Sequence, residues 1–367
     1  MECWRKLLPD IENWIRLAML ESPRSAISIV DYFGTPEEAF NARLQDFIEV
    51  KGVGRRTAEK FLELAKAPVD KEMKALGKLN ASVVTYRDAD YPYNLKQISD
   101  PPAVLFVRGT LNEQDRFSIA VIGTRKPSEY GKSMAYKISR DLAKRGLTLI
   151  SGGARGIDTV AHTAVLDVGA RTVAVLGSGL DVPYPYENRK MLDNIAETGA
   201  VISEFIPGTK PDAWRFPVRN RIVSGMSLGV LVVESLLTGG AMITANVALE
   251  QGRDVWAVPG TTDTPASQGP HRLIKDGAKL IECVEDILEE LGLEKDASAR
   301  QETVKLPENL SSEQKALVTA LSLHPKHIDE IISECSLTPA SASSNLTLLE
   351  MLGLVRRVPG NSYVRVV

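Results

Sequence analysis

Short apolar runs alternate with helical patterns through the middle of the chain, from about residue 80 to about residue 292. Apolar runs bounded by glycine or proline are typical of buried strands, and a 3.6-residue periodicity is typical of helices that cover a sheet. The predicted strands are Ser118–Ile122, Leu147–Ile150, Thr172–Leu176, Ala200–Ser203, Gly229–Glu234 and Asp254–Val258. The helical patterns that follow most of them are Gly131–Arg145, Ile157–Leu166, Asn188–Ala196 and Gly240–Glu250. This alternation predicts an α/β fold, a Rossmann-like doubly wound parallel sheet.

The two flanks of this region have different patterns. Residues 1–78 show helical patterns alone, which predicts an all-α domain before the sheet domain at 79–292. Residues 293–309 are polar and without periodicity, which predicts a linker. Residues 310–367 contain three short helical patterns, a strand, a Pro-Gly-Asn turn and a second strand. Three helices and a hairpin are the elements of a winged helix, which we expect as the last domain.

The third helix of this winged helix, residues 338–352, has no lysine or arginine. A helix that enters a DNA groove normally has basic phosphate contacts around it. Here only Arg356, Arg357 and Arg365 of the hairpin could supply them. Protein contact and DNA contact both stay open for this domain.

A glycine turn divides two helical patterns within residues 47–64. Helix-hairpin-helix motifs have such a turn, whose backbone N–H groups contact a phosphate without reading bases. The alternative is a small helical bundle with a tight turn and solvated charges. An auxiliary DNA site is predicted at Lys51, Gly52, Gly54, Arg55 and Arg56.

Composition narrows the class of protein. The net charge is −3, so any contact with nucleic acid depends on a local patch. The three cysteines are far apart and form no CxxC pair, which argues against a structural zinc site and indicates a reduced, cytoplasmic protein. No apolar run has the length of a signal peptide core or a membrane span. We therefore expect neither a metal nor a membrane contact.

Glycine or small polar residues follow nearly every predicted strand. In an open parallel sheet the carboxyl ends of the strands form the ligand-binding edge. Glycines there let backbone N–H groups reach an anion, although close helix–strand packing also favours glycine. Several such corners on one edge predict a crevice for several phosphates. Its predicted residues are Gly123, Thr124 and Arg125, then Ser151, Gly152, Gly153, Arg155 and Gly156, and finally Gly239 and Gly240.

The segment 213–225, AWRFPVRNRIVSG, interleaves aromatic residues with arginines. Aromatic rings stack on bases and guanidinium groups bind phosphates, a combination that suits single-stranded nucleic acid. The alternative is that the rings are core residues and the arginines form surface ion pairs. The residues predicted to contact DNA here are Trp214, Phe216, Arg219, Asn220 and Arg221.

The standard nucleotide-binding motifs do not fit. No GxxxxGK[ST] occurs, which argues against a P-loop ATPase. At the corner after the second strand, Ser151 stands where GxGxxG has its first glycine, and at the corner after the third strand Val182 stands in place of the last. A dinucleotide oxidoreductase is therefore disfavoured, and no cofactor is expected.

An ordered series of segments resembles the DNA-processing protein A family, also called Smf, of bacterial natural transformation. The resemblance covers roughly residues 85–285. Its segments are YPYNLKQISDPPAVLFVRG (91–109), AVIGTRKPSEYG (120–131), SGGARGIDTVAH (151–162), AVLGSGLDVPYPYEN (174–188), SEFIPG (203–208), FPVRNRIVSG (216–225) and GGAMITANVALEQGRDVWAVPG (239–260).

The resemblance implies a function and partners. Family members have a sterile-alpha-motif-like domain before the Rossmann-like domain and a winged helix after it. They bind single-stranded DNA, form homodimers, help load the RecA recombinase and are not known as enzymes. The resemblance thus implies a recombination mediator that protects incoming single-stranded DNA, dimerises through its Rossmann-like domain and has no catalytic residues.

It also implies roles for particular residues. The arginine of the family's GTR motif contacts DNA phosphate and falls on Arg125, the glycine loop falls on 151–156, and the FPxRNR segment falls on 216–221. One departure is visible, because GxNxLIxxGA appears as GPHRLIKDGA with His271 in place of asparagine. That change puts a hydrogen bond near the crevice in doubt.

The competing hypothesis is a nucleotide hydrolase similar to the lysine-decarboxylase-like phosphoribohydrolases. Their PGGxGTxxE motif carries a catalytic glutamate, and alignment on the paired glycines puts Asn246 at that position and Met242 at the inner glycine. An amide cannot do the acid–base work of a carboxylate. Asp158 and His162, four residues apart on one helix face, are predicted to form a polar pair that steers the glycine loop, or else half of a catalytic site.

Overall fold

A computed structural model of the chain describes residues 8–293, 310–321, 326–358 and 360–365. The chain forms two compact units, the first ending at Glu282 and the second beginning at Cys283. Among the described residues, no helix is both long enough and apolar enough to cross a membrane. The predicted linker lies outside the described residues except for Leu293.

Five α-helices open the first unit and share one apolar core with the sheet that follows. The proposed hairpin joins a 3₁₀ helix at Leu44–Glu49 to the fourth of these helices. Gly52 in the turn has a φ of +78°, a left-handed conformation that glycine adopts without strain. The five helices are α1 (Leu8–Ala18), α2 (Pro23–Phe33), α3 (Pro36–Phe40), α4 (Arg55–Leu64) and α5 (Asp70–Leu79).

A nine-stranded sheet with the order β1-β2-β6-β5-β4-β3-β7-β8-β9 forms the centre of the first unit. The strands from β6 to β9 in this order run parallel, whereas β1 and β2 are antiparallel additions at one edge. The strands are β1 (Ala81–Thr85), β2 (Val104–Gly109), β3 (Ser118–Ile122), β4 (Thr148–Ser151), β5 (Thr172–Leu176), β6 (Ala200–Ser203), β7 (Gly229–Val232), β8 (Asp254–Ala257) and β9 (Lys279–Leu280). The predicted doubly wound parallel sheet is confirmed.

The chain reverses its direction of travel across the sheet between β3 and β7. β4, β5 and β6 follow on one side of β3, and β7 then pairs with β3 on the other side. Such a switch point opens a crevice at the carboxyl ends of the two strands. The helices around the sheet are α6 (Tyr93–Lys96), α7 (Glu129–Lys144), α8 (Ile157–Leu166), α9 (Arg189–Thr198), α10 (Arg215–Met226), α11 (Gly240–Glu250) and α12 (Gln268–Lys275).

The second unit contains the winged helix predicted at the end of the chain, and its three helices pack around a small apolar core. Thr338 accepts a hydrogen bond from the N–H of Ser341 and so begins the third of them. A three-stranded sheet in the order β10-β12-β11 completes the domain. The elements of this unit are α13 (Val284–Glu290), α14 (Ser312–Ala320), β10 (Lys326–His327), α15 (Ile328–Cys335), α16 (Pro339–Met351), β11 (Val355–Val358) and β12 (Ser362–Arg365).

Candidate nucleic-acid interface

A cavity of about 260 Å³ lies at the switch point between β3 and β7. It brings together the corner after β3, the loop after β4, the start of α10 and the start of α11. Several predicted site residues therefore meet in one place although the first and the last of them are more than 100 positions apart. Those that line the cavity are Gly123, Thr124, Arg125, Gly152, Phe216, Arg219, Asn220, Gly239 and Gly240.

The loop after β4 binds a carboxylate of its own chain. One carboxylate oxygen of Asp158 accepts hydrogen bonds from the N–H of Gly152 at 3.1 Å and the N–H of Ala154 at 3.2 Å. Asp158 is buried, and this burial raises its pKa, while the nearby Arg219 has the opposite effect. These two N–H groups are thus already bound within the protein, which differs from the expectation that they face a phosphate.

His162 takes no part in the hydrogen bonds between Asp158 and the loop. Its Nδ1 lies 2.7 Å from the hydroxyl oxygen of Thr172, which itself donates to the carbonyl of Leu149. The hydroxyl has one proton, so His162 must carry its proton on Nδ1. Asp158 steers the glycine loop as expected, but it does so through backbone N–H groups rather than through His162.

Gly153 and Gly156 of this loop are favoured as glycines for different structural reasons. Gly153 has a φ of +66°, and a Cβ there would lie 3.5 Å from Leu192, which is ordinary contact. Gly156 has a φ of +82°, and a Cβ there would lie 2.3 Å from the carbonyl oxygen of Thr124. Gly156 therefore lets the corner after β3 pack against the loop, whereas Gly153 is required by its backbone conformation.

Arg219 lies beneath the cavity rather than at its opening. Its side chain is buried and donates to the carbonyl oxygens of Gly152 and Val175, at the carboxyl ends of β4 and β5. Burial lowers its pKa to about 10. Its guanidinium is thus committed to holding two strand ends together, which favours a structural role over the predicted phosphate contact.

Arg125 and Phe216 form the exposed rim of the cavity. The guanidinium carbon of Arg125 lies 5.3 Å from the centroid of the Phe216 ring. Arg125 is exposed, and among the described residues no carboxylate pairs with it. Phe216 is half-buried, and its ring centroid is 5.7 Å from that of Tyr184. A free cation beside two aromatic rings is suited to a phosphate and an adjacent base.

The N-termini of α7 and α11 differ in their caps, because only α7 is capped by a side chain. At α7 the hydroxyl of Ser128 accepts from the N–H of Gly131 at 3.0 Å, and Glu234 accepts from the N–H of Ser128 at 2.9 Å. At α11 the N-cap residue is Gly239, which provides no side-chain hydrogen bond. The start of α11 therefore presents N–H groups and a partial positive charge to the cavity.

His271, which stands in place of the family's asparagine, contacts the corner after β8. Its Nε2 lies 2.9 Å from the carbonyl oxygen of Gly260, in the corner after β8. Since the imidazole can carry its proton on Nε2, it can donate to this carbonyl as an amide would. His271 therefore supports the corner after β8 through its side chain.

Two predicted residues of the aromatic–arginine segment lie away from the cavity. The segment forms α10, and a helix directs successive residues to different sides. Arg221 pairs with the carboxylates of Glu204 and Asp100, and Trp214 lies in a separate groove. The sequence interpretation missed Tyr184 and the apolar residues Leu236 and Ile243 at the rim, although Tyr184 belongs to the quoted motif AVLGSGLDVPYPYEN.

The remaining predicted residues are exposed except Ser151, which is buried and donates from its hydroxyl to the carbonyl of Val121 at 2.7 Å. Arg155 pairs with Glu187, and Arg55 lies 2.8 Å from a carboxylate oxygen of Glu59. Lys51 is exposed beside the glycine turn, and a Cβ at Gly52 would meet nothing within 4 Å. The turn is thus open to an approaching ligand.

The family model described as DNA recombination-mediator protein A matches residues 82–292, more than half of the chain. The chain belongs to the DNA recombination-mediator protein A family. A model of the DprA winged helix domain matches residues 301–361. Protein Smf of Escherichia coli is 35% identical over 97% of this chain and 96% of its own. Protein Smf of Synechocystis sp. is 34% identical over 92% of this chain and 94% of its own.

Solved structures of the DNA recombination-mediator protein A family agree with this assignment. DNA processing protein A of Streptococcus pneumoniae is 35% identical, with a TM-score of 0.67 over 76% of this chain and 95% of its own. DNA processing protein A of Helicobacter pylori, whose structure gives insight into its single-stranded DNA binding mode, is 28% identical. Its TM-score is 0.52 over 57% of this chain and 95% of its own.

Proposed function

We propose that this chain is a recombination mediator that binds single-stranded DNA in the cavity at the β3–β7 switch point. The observation that carries the proposal is the pair formed by Arg125 and Phe216 at the opening of that cavity. The arginine has no carboxylate partner among the described residues, and the ring has a partly open surface.

The cavity supplies the two interactions that single-stranded DNA needs. Arg125 neutralises one phosphate, and the uncapped start of α11 at Gly239 and Gly240 receives another. Phe216 and Tyr184 stack on a base, which is possible only where the bases are unpaired. The other residues proposed at this interface are Gly123, Thr124, Ser151, Gly152, Gly153, Arg155, Gly156 and Asn220.

The flanking regions have secondary roles in this proposal. Lys51, Arg55 and Arg56 beside the open turn form an auxiliary phosphate contact. The winged helix contacts a protein or DNA, but α16 offers no basic residue for that contact. The exposed side chains of α16 include Leu348 and Met351. Removal of the winged helix is therefore expected to weaken DNA binding only modestly.

The partners of the proposal come from the family. Relatives named for DNA processing support a role in natural transformation, with protection of incoming DNA and delivery to the RecA recombinase in the cytoplasm. Homodimerisation through the Rossmann-like domain belongs to the same proposal. Light scattering of the full chain at micromolar concentration tests the dimer, and a monomer alone would contradict it.

We further propose that the chain is not an enzyme. Two carboxylates near the cavity are already engaged, because Asp158 accepts from loop N–H groups and Glu234 accepts from Ser128. Asn246 replaces the catalytic glutamate of the phosphoribohydrolases that we considered as the alternative. Turnover of nucleoside monophosphates by the purified chain would contradict this part of the proposal.

Binding of labelled oligonucleotides over a salt series tests the DNA site. We expect a single strand to bind more tightly than a duplex of equal length, with an affinity that falls as salt rises because bound phosphates release counterions. A mononucleotide should compete weakly, since it occupies one subsite. Equal affinity for the duplex would contradict the proposed function.

A further inference from the structure

A second groove, of about 770 Å³, lies next to the phosphate-binding cavity, and Pro217 lines both. We call it the Trp214 groove, and its lining includes Glu21, Phe205, Lys210, Trp214, Arg215 and Arg221. Its walls come from the turn between α1 and α2, the loop after β6 and the start of α10. Sites of about 300–1,000 Å³ accommodate small organic molecules, so a nucleobase with its sugar fits this volume.

Neighbouring side chains hold the Trp214 ring in place on one side, and another side of the ring is exposed to solvent. The guanidinium carbon of Arg215 lies 4.5 Å from the centroid of the Trp214 ring, and Phe205 meets the ring edge-on at 6.4 Å. Arg215 is itself fixed, since it donates to the carbonyl of Lys210 at 3.1 Å and lies 3.6 Å from Glu21. Nevertheless, 46% of Trp214 is exposed. A large ring that is ordered yet half exposed is preorganised for stacking.

The charges of this groove balance one another. Arg221 pairs with Glu204 and Asp100, and Arg215 lies near Glu21. A phosphate at Arg215 or Arg221 would have to displace these carboxylates, whereas a base stacked on Trp214 would not. The groove is therefore suited to a base, in contrast to the neighbouring cavity with its free arginine.

We propose that the Trp214 groove is a second base-binding subsite for the same DNA strand. This inference rests on the proposed function of the cavity. Trp214 and Phe216 are two residues apart at the start of α10, so the helix directs them to opposite sides. A strand anchored by its phosphates in the cavity crosses Pro217, and one further base stacks on Trp214. The two rings thus hold different bases of one strand.

The test uses the full chain, an oligo-dT series of increasing length, and Trp214→Ala and Trp214→Phe. We expect Trp214→Ala to bind the shortest oligonucleotides like the wild type and longer ones about 5- to 100-fold more weakly, with an unchanged salt slope. Trp214→Phe should retain most of the affinity because it keeps a stacking ring. Longer oligonucleotides should also quench the tryptophan fluorescence of the wild type more than that of Trp214→Phe, which retains the other three tryptophans.

Arg125→Ala serves as the reference variant that separates the two proposals. If Arg125→Ala loses affinity at every length while Trp214→Ala binds every length like the wild type, the second subsite is wrong and the cavity stands. If Arg125→Ala binds like the wild type, the proposed DNA site itself is wrong. A changed oligomeric state of Trp214→Ala with unchanged DNA affinity would assign the groove to a protein partner and overturn the inference.

Discussion

The guanidinium carbon of Arg125 lies 5.3 Å from the centroid of the Phe216 ring, and this pair joins the corner after β3 to the start of α10. The contact orients the guanidinium at the cavity without neutralising it. A cation that is positioned but has no carboxylate partner loses little when it binds a phosphate. The two members of the pair should therefore respond differently to mutation.

Arg125→Ala should weaken binding of single-stranded DNA by about 1–3 kcal/mol, because one charge-assisted phosphate contact is lost. The slope of log affinity against log salt should fall by about 0.7, the value for one phosphate of a single strand. Lys126→Ala is the matched control, since Lys126 is an exposed neighbouring cation outside the cavity lining. Equal losses in the two variants would mean that Arg125 has no specific contact.

Phe216→Leu should also weaken binding by about 1–3 kcal/mol, but with an unchanged salt slope, because a stacking surface is lost and no charge is removed. Phe216→Tyr should bind nearly like the wild type, since it keeps the ring. The ring also packs over Gly177, so thermal melting must show that both variants are folded. A folded Phe216→Leu variant with wild-type affinity would exclude stacking on this ring.

Arg219→Met should reduce stability rather than remove a phosphate contact. The carbonyl oxygens of Gly152 and Val175 would lose their buried donor, at a cost of about 1–3 kcal/mol each in the free energy of unfolding. Urea unfolding and the salt slope measure the two effects separately. A variant with wild-type stability and a salt slope lowered by about 0.7 would restore the phosphate role that the sequence suggested.

Much of the sheet could be predicted because its strands are short apolar runs that end at glycine corners. β3, β5 and β6 begin and end at the predicted residues. The helix α10 is not predicted by periodicity because its second half is buried on several sides and Arg219 and Arg221 are among the buried residues, so it lacks a single apolar stripe. Hydrophobic periodicity does not reveal a helix that is buried on several sides and whose buried residues include ion-paired or hydrogen-bonded arginines.

The candidate site, like α10, could be predicted only in part from the sequence. Glycine corners indicated which loops meet, but the direction of their N–H groups depends on a side chain elsewhere in the sequence. Asp158 binds the N–H groups of Gly152 and Ala154, and the composition of the loop gives no sign of this. The free arginine was identifiable only through the GTR motif, since spacing does not distinguish the exposed Arg125 from the buried Arg219.

Gly153→Val should destabilise the chain through backbone strain rather than through a clash. A β-branched residue at a φ of +66° costs about 1–2 kcal/mol, while the space around a Cβ is ordinary. Gly153→Asn should cost clearly less, because asparagine tolerates the left-handed conformation. Thermal unfolding of the two variants distinguishes strain from sterics, and equal destabilisation by asparagine and valine would argue against the backbone explanation.

His162 should make the first unit sensitive to acid. Burial lowers the pKa of His162 to about 3, whereas an unfolded histidine titrates near 6.5. Between these values the unfolded state binds a proton that the folded state does not, so stability is fully present above about pH 6.5 and is lost as the pH falls toward 3. The loss amounts to about 1.4 kcal/mol per pH unit at most.

His162→Gln isolates this contribution, because its amide can still donate to the hydroxyl of Thr172 but cannot take up a proton. Urea unfolding at pH 7 and pH 5, followed by tryptophan fluorescence, measures the first unit, since all four tryptophans precede residue 283. We expect wild type to lose about 2 kcal/mol more than the variant between these pH values. The raised pKa of Asp158 is common to both proteins and cancels in the comparison. Parallel pH dependences would show that His162 is protonated as readily in the folded chain as in the unfolded one.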